Sequence, residues 1–133
     1  MPNRILIATT LLLAFCTVAH PAETHACDVV VYGGTAGGTI AAIAAANEGL
    51  DVCMVEPDEH IGGMVTGGLS ATDYGKKQVI GGMSREFFER VGAHYGEDAT
   101  WYFEPHVAQR VFADWIEEAG VEVFFQHRAD TVE

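Results

Sequence analysis

The apolar positions of this chain come in blocks that predict a strand, a helix and a second strand. Residues 28–32 form a β-branched apolar run, which is typical of a strand buried on both faces of a parallel sheet. Residues 39–48 are rich in Ala and Ile and predict a helix that Gly49 ends. Residues 51–56 predict the second strand. Residues 28–56 therefore predict a compact βαβ unit, whose crossover should be right-handed.

Two further helices and a third strand follow from the same reasoning. Ser84 is a suitable N-cap for a helix over residues 85–91, and Pro105 opens a strongly amphipathic helix that Gly120 ends. Residues 121–125 predict a strand of the same parallel sheet, which we expect beside the first strand. Three aromatic residues precede the second of these helices and are expected to be core or docking residues, with a ligand cage as the weaker alternative: Trp101, Tyr102 and Phe103.

The first part of the chain has the layout of a secretory signal peptide. A single positive charge precedes residues 5–19, which are apolar apart from three threonines. This stretch is shorter than the roughly 20 residues that a spanning helix needs, so a permanent membrane anchor is the weaker alternative. Small residues allow cleavage after Ala19 or after Ala26. We expect an exported protein, periplasmic or extracellular, with residues 1–26 as leader and 27–133 as the domain.

The cysteines bear on both export and anchoring. Cys27 follows Ala26 as the lipid-acceptor cysteine of a bacterial lipoprotein would, but Thr24 stands where such signals prefer a large aliphatic residue, so we expect no lipid anchor. Removal of Cys16 with the leader leaves Cys27 and Cys53, an even pair in a compartment where disulfides form. Cys53 lies inside the second predicted strand, and neighbouring parallel strands rarely offer disulfide geometry. We therefore predict two unpaired thiols, with Cys53 acting as a small buried apolar residue.

Composition and charge exclude several classes of function. The formal net charge is −12, from 7 Lys+Arg and 19 Asp+Glu, and no basic run occurs, so neither nucleic acid nor an anionic membrane surface is an expected partner. No pair of histidines has the HxxxH or HExxH spacing, so no metal site is expected. Of the 15 glycines, 12 lie between Gly33 and Gly82. This clustering exceeds what ordinary turns require.

The first glycines lie in the turn between the first predicted strand and its helix. The dinucleotide pattern GxGxxG, aligned from Gly33, has Thr35 in place of the middle glycine and Gly38 at its end. Gly34 has no side chain that would hinder a phosphate from approaching the backbone next to Thr35. The Thr35 hydroxyl can itself donate a hydrogen bond to the phosphate. A helix N-terminus presents unpaired N–H groups and a partial positive charge, so a pyrophosphate can bind there without any lysine or arginine.

Glu56 supplies the other half of the dinucleotide pattern. It ends the second strand 23 residues after Gly33, close to the spacing at which an acid accepts hydrogen bonds from a ribose hydroxyl. Its carboxylate would repel a ribose 2′-phosphate, so NADP is the least expected dinucleotide. A degenerate glycine turn alone could equally be a tight turn without function. The order of strand, turn, helix, strand and acid favours dinucleotide binding.

Three glycine doublets follow within 21 residues: Gly62–Gly63, Gly67–Gly68 and Gly81–Gly82. Paired glycines allow a backbone to lie flat against a ligand or to turn with positive φ. The alternative is a mobile surface loop, but the apolar residues between the doublets argue against one. An extended cofactor that lies along the protein well past its pyrophosphate accounts for them better.

Several segments resemble the family of FAD-dependent oxidoreductases whose members carry a GGT version of the turn. The resemblance rests on residues 28–38, 60–69 and 80–88, and residues 103–107 are similar as well. The substitution at Thr35 is then a feature of the family. Some members carry the label xanthan lyase-like, which we do not transfer to this chain.

The resemblance implies a glutathione-reductase-like FAD fold, an α/β domain with a Rossmann-like parallel sheet that is incomplete in this chain. It implies that the glycine turn and Glu56 face the ADP half of FAD, and that the segment after Ile61 runs beside the cofactor toward the flavin. The residues expected to bind FAD are Gly33, Gly34, Thr35, Ala36, Gly38, Glu56, Gly62, Gly63 and Met64. Family members run to several hundred residues, so we expect these 133 residues to lack the substrate-binding portion.

The sequence thus favours an FAD-dependent oxidoreductase that transfers hydride or electrons between an unknown small molecule and bound FAD. An NAD-dependent dehydrogenase is the main alternative, but it should lack the glycine doublets after Glu56. A non-catalytic nucleotide-binding fragment is the alternative from a different class.

Overall fold

The computed structural model describes residues 23–69 and 71–131 of the 133-residue chain. Almost all of the predicted leader, residues 1–22, therefore lies outside the described part. The elements are β1 (Val29–Tyr32), α1 (Ala36–Asn47), β2 (Val52–Glu56), α2 (Gly82–Tyr95), α3 (Pro105–Ala119) and β3 (Glu122–Phe125). Between β2 and α2 the chain forms two short 3-10 turns, at Gly63–Val65 and Lys77–Val79.

The three strands form one parallel sheet in the order β1-β2-β3. Residues 28–56 form the predicted βαβ unit, so that prediction is confirmed. The placement of the last strand beside the first was wrong, because β3 pairs with β2. The helices α1 and α3 pack against each other on one face of the sheet. When two successive right-handed crossovers place their helices on the same face, each new strand is added on the same side of the preceding one. β3 is therefore added beside β2, on the side away from β1.

The core lies between this face of the sheet and the helices. Val29 and Val31 of β1 and Val52 and Met54 of β2 join it, as the two-residue period of a strand requires. Phe112 of α3 packs at its centre, stacked on Phe87 of α2 with ring centroids 4.6 Å apart. Burial of a side chain of this size stabilises the fold by about 1.5–3 kcal/mol.

The structure shifts the starts of two helices relative to prediction. α1 begins at Ala36 rather than residue 39, because the Thr35 side chain caps it. α2 begins at Gly82 with Gly81 as its N-cap, so Ser84 lies inside the first turn and is not the cap we predicted. α3 begins at Pro105 and ends before Gly120, whose φ of 72° gives the expected C-terminal stop.

The aromatic residues ahead of α3 divide between core and surface. Trp101 and Phe103 are buried, as predicted, whereas Tyr102 is 62% exposed. Alternation explains the difference, since consecutive residues of an extended segment point to opposite sides. Among the described helices, none combines the length and the apolar character that a membrane crossing requires.

Within the described part of the chain, the opposite face of the sheet leaves apolar side chains exposed. Val30 and Tyr32 of β1 are 61% and 55% exposed, and with Val55 and Phe124 they line a broad cleft of about 1060 Å³. Residues 23–27 lie at this face and run from β3, where His25 contacts Phe124, to β2, where Cys27 contacts Cys53, and we call them the N-terminal strap. The helices thus cover one face of the sheet, and the strap crosses the other.

The strap contains a disulfide that contradicts the prediction of two unpaired thiols. Cys27 is bonded to Cys53, with their Cα atoms 5.9 Å apart, within the usual range for a disulfide. The prediction was wrong because Cys27 does not occupy a ladder position opposite Cys53. It precedes β1, at a point where the chain crosses in front of β2, so the geometry of paired parallel strands does not apply.

Candidate functional site

The turn between β1 and α1 lies at the carboxyl end of the sheet. Gly33 adopts φ of 100°, a left-handed conformation that favours glycine, and its N–H donates to the Val55 carbonyl at 2.8 Å. The Thr35 side chain then accepts a hydrogen bond from Gly38 N–H at 3.1 Å and so caps α1. The residue that breaks the GxGxxG pattern is therefore the residue that starts the helix.

Gly38 is required by packing between the strand and the helix. A Cβ at this position would lie 2.1 Å from the carbonyl oxygen of Gly33, which is backbone and cannot move aside. The absence of a side chain at Gly38 thus allows α1 to begin close against the end of β1. This is the role of the third glycine in a dinucleotide-binding turn.

The start of α1 presents backbone donors for an anion. Ala36 and Gly37 precede the first residues that can donate within the helix, so their N–H groups face outward from its N-terminus. The first turn of α1 contains no acidic residue that would compete for them. A Cβ on Gly37 would meet only Thr35 Oγ1, at 4.0 Å, so the approach to this backbone is open. The geometry suits a phosphate group.

Glu56 ends β2 beside the same turn and is only 7% exposed. One carboxylate oxygen accepts a hydrogen bond from Gly34 N–H at 2.5 Å, and the other accepts from Asp58 N–H at 2.8 Å. Each carboxylate oxygen can accept a second hydrogen bond, so Glu56 can also accept one from a ribose hydroxyl. Glu56 therefore also connects the glycine turn to the end of the neighbouring strand, a role that its spacing in the sequence did not indicate.

The first glycine doublet after Glu56 lies directly against the turn. Gly62 N–H donates to the Gly34 carbonyl at 2.6 Å, and Gly62 forms an isolated parallel bridge with Thr35. Gly62 and Gly63 have φ of 98° and 55°, so the chain bends sharply there. Met64 follows and is 79% exposed. The structure thus brings the turn, Glu56 and the Gly62–Met64 segment together at one edge of the sheet.

Two cavities flank this segment. A mainly apolar cavity of about 270 Å³ begins at Ala36 and Gly37 and continues between Val65 and Phe88. A more polar cleft of about 500 Å³ lies on the other side, along Gly63 and residues 58–60. The site therefore has two cavities beside the first glycine doublet, and the second has the more polar side chains in its lining.

Two polar residues of the apolar cavity were missed as site residues in the sequence. Thr72 and Ser84 contribute to its lining. Ser84 had a satisfactory explanation as a helix cap, and Thr72 belongs to no motif. Their position depends on the path of the chain between β2 and α2, which has no regular period.

The chain between β2 and α2 is held in place by contacts with Trp101 and Tyr102, which precede α3. Thr72 N–H donates to the Trp101 carbonyl at 3.1 Å, and Lys77 Nζ lies 4.1 Å from the centre of the Tyr74 ring. A hydrogen bond with Tyr102, together with one to Lys77, lowers the pKa of Tyr74 below its ordinary value. Between the second and third glycine doublets, Thr72 and Tyr74 thus contact the aromatic residues ahead of α3. The apolar residues between the doublets divide: Ile61 is buried, whereas Met64 and Leu69 are 79% and 63% exposed.

The fold and this arrangement define an α/β dinucleotide-binding domain. A sequence model of the family described as FAD dependent oxidoreductase matches residues 28–133. The chain therefore belongs to the family of FAD-dependent oxidoreductases. Comparison with curated protein sequences finds no match.

Solved structures of other proteins share the fold of this chain. The structure of AlpK matches with a TM-score of 0.56 and 16% identity, covering 84% of this chain and 26% of that one. A 3-ketosteroid-delta4-(5alpha)-dehydrogenase from Rhodococcus jostii RHA1 matches with a TM-score of 0.51 and 15% identity, covering 86% and 40%. Cyclohexanone monooxygenase matches with a TM-score of 0.51 and 19% identity, covering 78% and 20%. The chain thus spans between 20% and 40% of the length of these three structures.

The residues present fit the ADP half of FAD. The outward N–H groups at the start of α1 suit the pyrophosphate, and the open space at Gly37 lets it approach the backbone. Glu56 lies next to this turn with acceptor capacity for a ribose. This part of the site needs no lysine or arginine, which agrees with a net charge of −12.

Proposed function

We propose that this chain is the ADP-binding part of an exported FAD-dependent oxidoreductase that acts on a small molecule. The observation that carries the proposal is that three groups lie together at one edge of the sheet: the outward N–H groups at the start of α1, the Glu56 carboxylate and the Gly62–Met64 segment. The helix N-terminus suits the pyrophosphate of FAD, and the carboxylate suits the adenosine ribose. The Gly62–Met64 segment lies where the remainder of the cofactor would continue.

The residues divide the work of binding between them. Ala36 and Gly37 bind the pyrophosphate through backbone N–H groups, and Glu56 orients the adenosine ribose while it holds Gly34 in place. The Gly62–Met64 segment guides the remainder of the cofactor along the apolar cavity. FAD, when bound, supplies the redox chemistry by accepting or giving a hydride or electrons.

The substrate domain of the proposed enzyme belongs to further polypeptide beyond these residues. Two observations support this part of the proposal. The chain spans at most 40% of the three similar structures described above. In addition, one face of its sheet leaves Val30 and Tyr32 more than half exposed, although a parallel sheet is normally covered on both faces.

Export is supported by the disulfide as well as by the leader-like N-terminus. A disulfide between Cys27 and Cys53 persists in an oxidising compartment and is rare in the cytosol. The proposed location is therefore the periplasm or the extracellular space. The proposed chain consists of a leader followed by the domain that the family match covers.

Absorption spectroscopy tests the proposal against its rivals. The exported protein should be yellow after purification, and denaturation should release FAD in a 1:1 ratio to protein. A colourless protein that binds NAD in a titration would favour the dehydrogenase alternative. A colourless protein that binds ADP alone, without redox activity, would favour a non-catalytic nucleotide-binding module. Either result would contradict the proposed function.

A further inference from the structure

The chain leaves β3 through a residue with an unusual backbone conformation. Among the described residues, Gln126 is the only residue other than glycine with a positive φ, at 58°. A side chain makes this left-handed conformation unfavourable, and such residues persist where their surroundings hold them, often at functional sites. Gln126 directly follows β3 at the carboxyl edge of the sheet, where β2 ends in Glu56. The strained turn therefore lies at the edge that carries the candidate site.

The left-handed conformation directs two consecutive N–H groups to the same stretch of chain. Gln126 N–H donates to the Asp58 carbonyl at 3.1 Å, and His127 N–H donates to the Glu56 carbonyl at 3.2 Å. In an extended strand, consecutive N–H groups point to opposite sides, so both could not reach the end of β2. The turn at Gln126 therefore allows the chain after β3 to bind both carbonyls.

These two hydrogen bonds hold the segment that fixes the Glu56 carboxylate. Asp58 N–H donates to one carboxylate oxygen at 2.8 Å, while Gly34 N–H donates to the other at 2.5 Å. The turn thus fixes Asp58, and Asp58 fixes one oxygen of the carboxylate. The Gln126 side chain donates to the Glu59 carboxylate at 2.8 Å, but both of these side chains are exposed. The backbone of Gln126, rather than its side chain, makes the connection to Glu56.

We propose that Gln126 is a positioning residue for the recognition of the adenosine ribose by Glu56. This inference rests on the proposed binding of FAD by this chain. The carboxylate accepts a hydrogen bond from a ribose hydroxyl only while it lies beside the glycine turn, and one N–H donor on each oxygen keeps it there. Without the turn at Gln126 the Asp58 donor is no longer held, and the carboxylate is free to adopt other rotamers.

Binding of ADP and of 2′,3′-dideoxy-ADP to the full chain, freed of its FAD, tests this assignment. The two ligands share the adenine and the diphosphate and differ only in the ribose hydroxyls, so the ratio of their dissociation constants measures ribose recognition. A hydrogen bond to a charged acceptor predicts that the original protein binds ADP at least about tenfold more tightly than the dideoxy ligand. A loss of stability alone weakens the binding of both ligands equally and leaves the ratio unchanged.

Matched substitutions separate the backbone conformation of Gln126 from its side chain. Gln126→Gly adopts positive φ without strain and keeps the N–H, so it should retain the preference for ADP. Gln126→Val introduces a β-branched residue, for which this conformation is a genuine outlier, so the turn should open and the preference should fall severalfold. Melting temperatures identify the folded variants. If Gln126→Val does not fold, Gln126→Ala replaces it, and its preference should lie below that of Gln126→Gly because Ala carries a Cβ.

Two results would overturn the inference. The first is an unchanged preference for ADP in folded Gln126→Val, or a preference in Gln126→Ala equal to that of Gln126→Gly. The second is loss of the preference in Gln126→Gly, which would assign the effect to the side-chain bond with Glu59. An original protein that binds both ligands equally, or neither, would instead contradict the proposed function. The original protein therefore tests the proposed function, and the variants test the role of Gln126.

Discussion

The glycines near the start of α1 and those farther along the chain occupy very different surroundings. A Cβ on Gly38 would lie 2.1 Å from a backbone oxygen, and a Cβ on Gly62 would lie 2.4 Å from the Thr66 side chain. A Cβ on Gly75 or on Gly81 would meet nothing within 4 Å. The packing of the domain itself therefore requires glycine at Gly38 and Gly62, the first group. It does not require glycine at Gly75 and Gly81, the second group.

This contrast shows that glycine enrichment alone has more than one cause. At Gly38 and Gly62 the fold demands glycine whether or not a ligand binds. At Gly37 the backbone is bare and faces outward from a helix N-terminus, so the absence of a side chain matters for what approaches it. Substitutions at these positions can therefore separate effects on stability from effects on binding.

The largest effect is expected for Gly38→Ala. The new methyl group would overlap the Gly33 carbonyl, so α1 would have to move away from β1 at a cost of about 3 kcal/mol. Urea denaturation should show this loss. Gly37→Ala is the matched control one position earlier, where a Cβ has space, and it should not reduce the free energy of unfolding. Equal losses in the two variants would contradict the contrast.

Gly62→Ala should have the next largest effect. Its φ of 98° is unfavourable for any side chain, and the added Cβ would also lie 2.9 Å from Phe112 in the core. Strain of this kind costs about 2 kcal/mol. Thermal unfolding monitored by circular dichroism should show the decrease, and an unchanged melting temperature would mean that the Gly62–Gly63 segment is not packed as described.

Glu56→Gln tests the link between β2 and the glycine turn in the absence of cofactor. The neutral amide has one acceptor oxygen, so one of the two backbone N–H groups would face the amide NH2 and lose its acceptor, at a cost of about 2 kcal/mol. Glu59→Gln is the control, since it makes the same change at an exposed neighbouring residue. If cofactor-free Glu56→Gln unfolds at the same denaturant concentration as the original protein, Glu56 does not hold the turn.

Gly75→Ala should have the smallest effect. The position is open and its φ lies outside the left-handed region, so the substitution restricts the unfolded chain without straining the folded one. A gain of about 0.5 kcal/mol in the free energy of unfolding is expected. A clear destabilisation would show that the second group of glycines is also constrained by packing.

Much of the fold could be predicted because its signals are local. The apolar run at residues 28–32, the helix that Gly49 ends and the strand at 51–56 each depend on neighbouring residues, and the structure has all three. The site residues of the turn and Glu56 could be named for the same reason, since parallel strands bring their carboxyl ends to one edge.

The features that sequence reasoning missed depend on contacts between distant residues. The position of β3 depends on which face α3 occupies, and no local pattern encodes that choice. The disulfide depends on the path of the strap in front of β2. The role of Glu56 in holding Gly34 depends on a hydrogen bond that joins residues 22 positions apart.

The central claim is that the start of α1 binds the pyrophosphate of the cofactor, and Gly37→Glu tests it most directly. A side chain at this position has space, and the partial positive charge of the helix N-terminus stabilises a carboxylate there, so the fold should remain stable. The same carboxylate would lie where the pyrophosphate binds and would repel it. Gly75→Glu adds the same charge away from the helix start and serves as the control.

The measurement is a calorimetric titration with FAD of each purified protein after its bound FAD has been removed. The account predicts that Gly37→Glu weakens FAD binding at least tenfold, which corresponds to about 1.4 kcal/mol, while its melting temperature matches that of Gly75→Glu. Gly75→Glu should bind FAD as the original protein does. Equal FAD affinity in the two folded variants would contradict the placement of the cofactor at the start of α1.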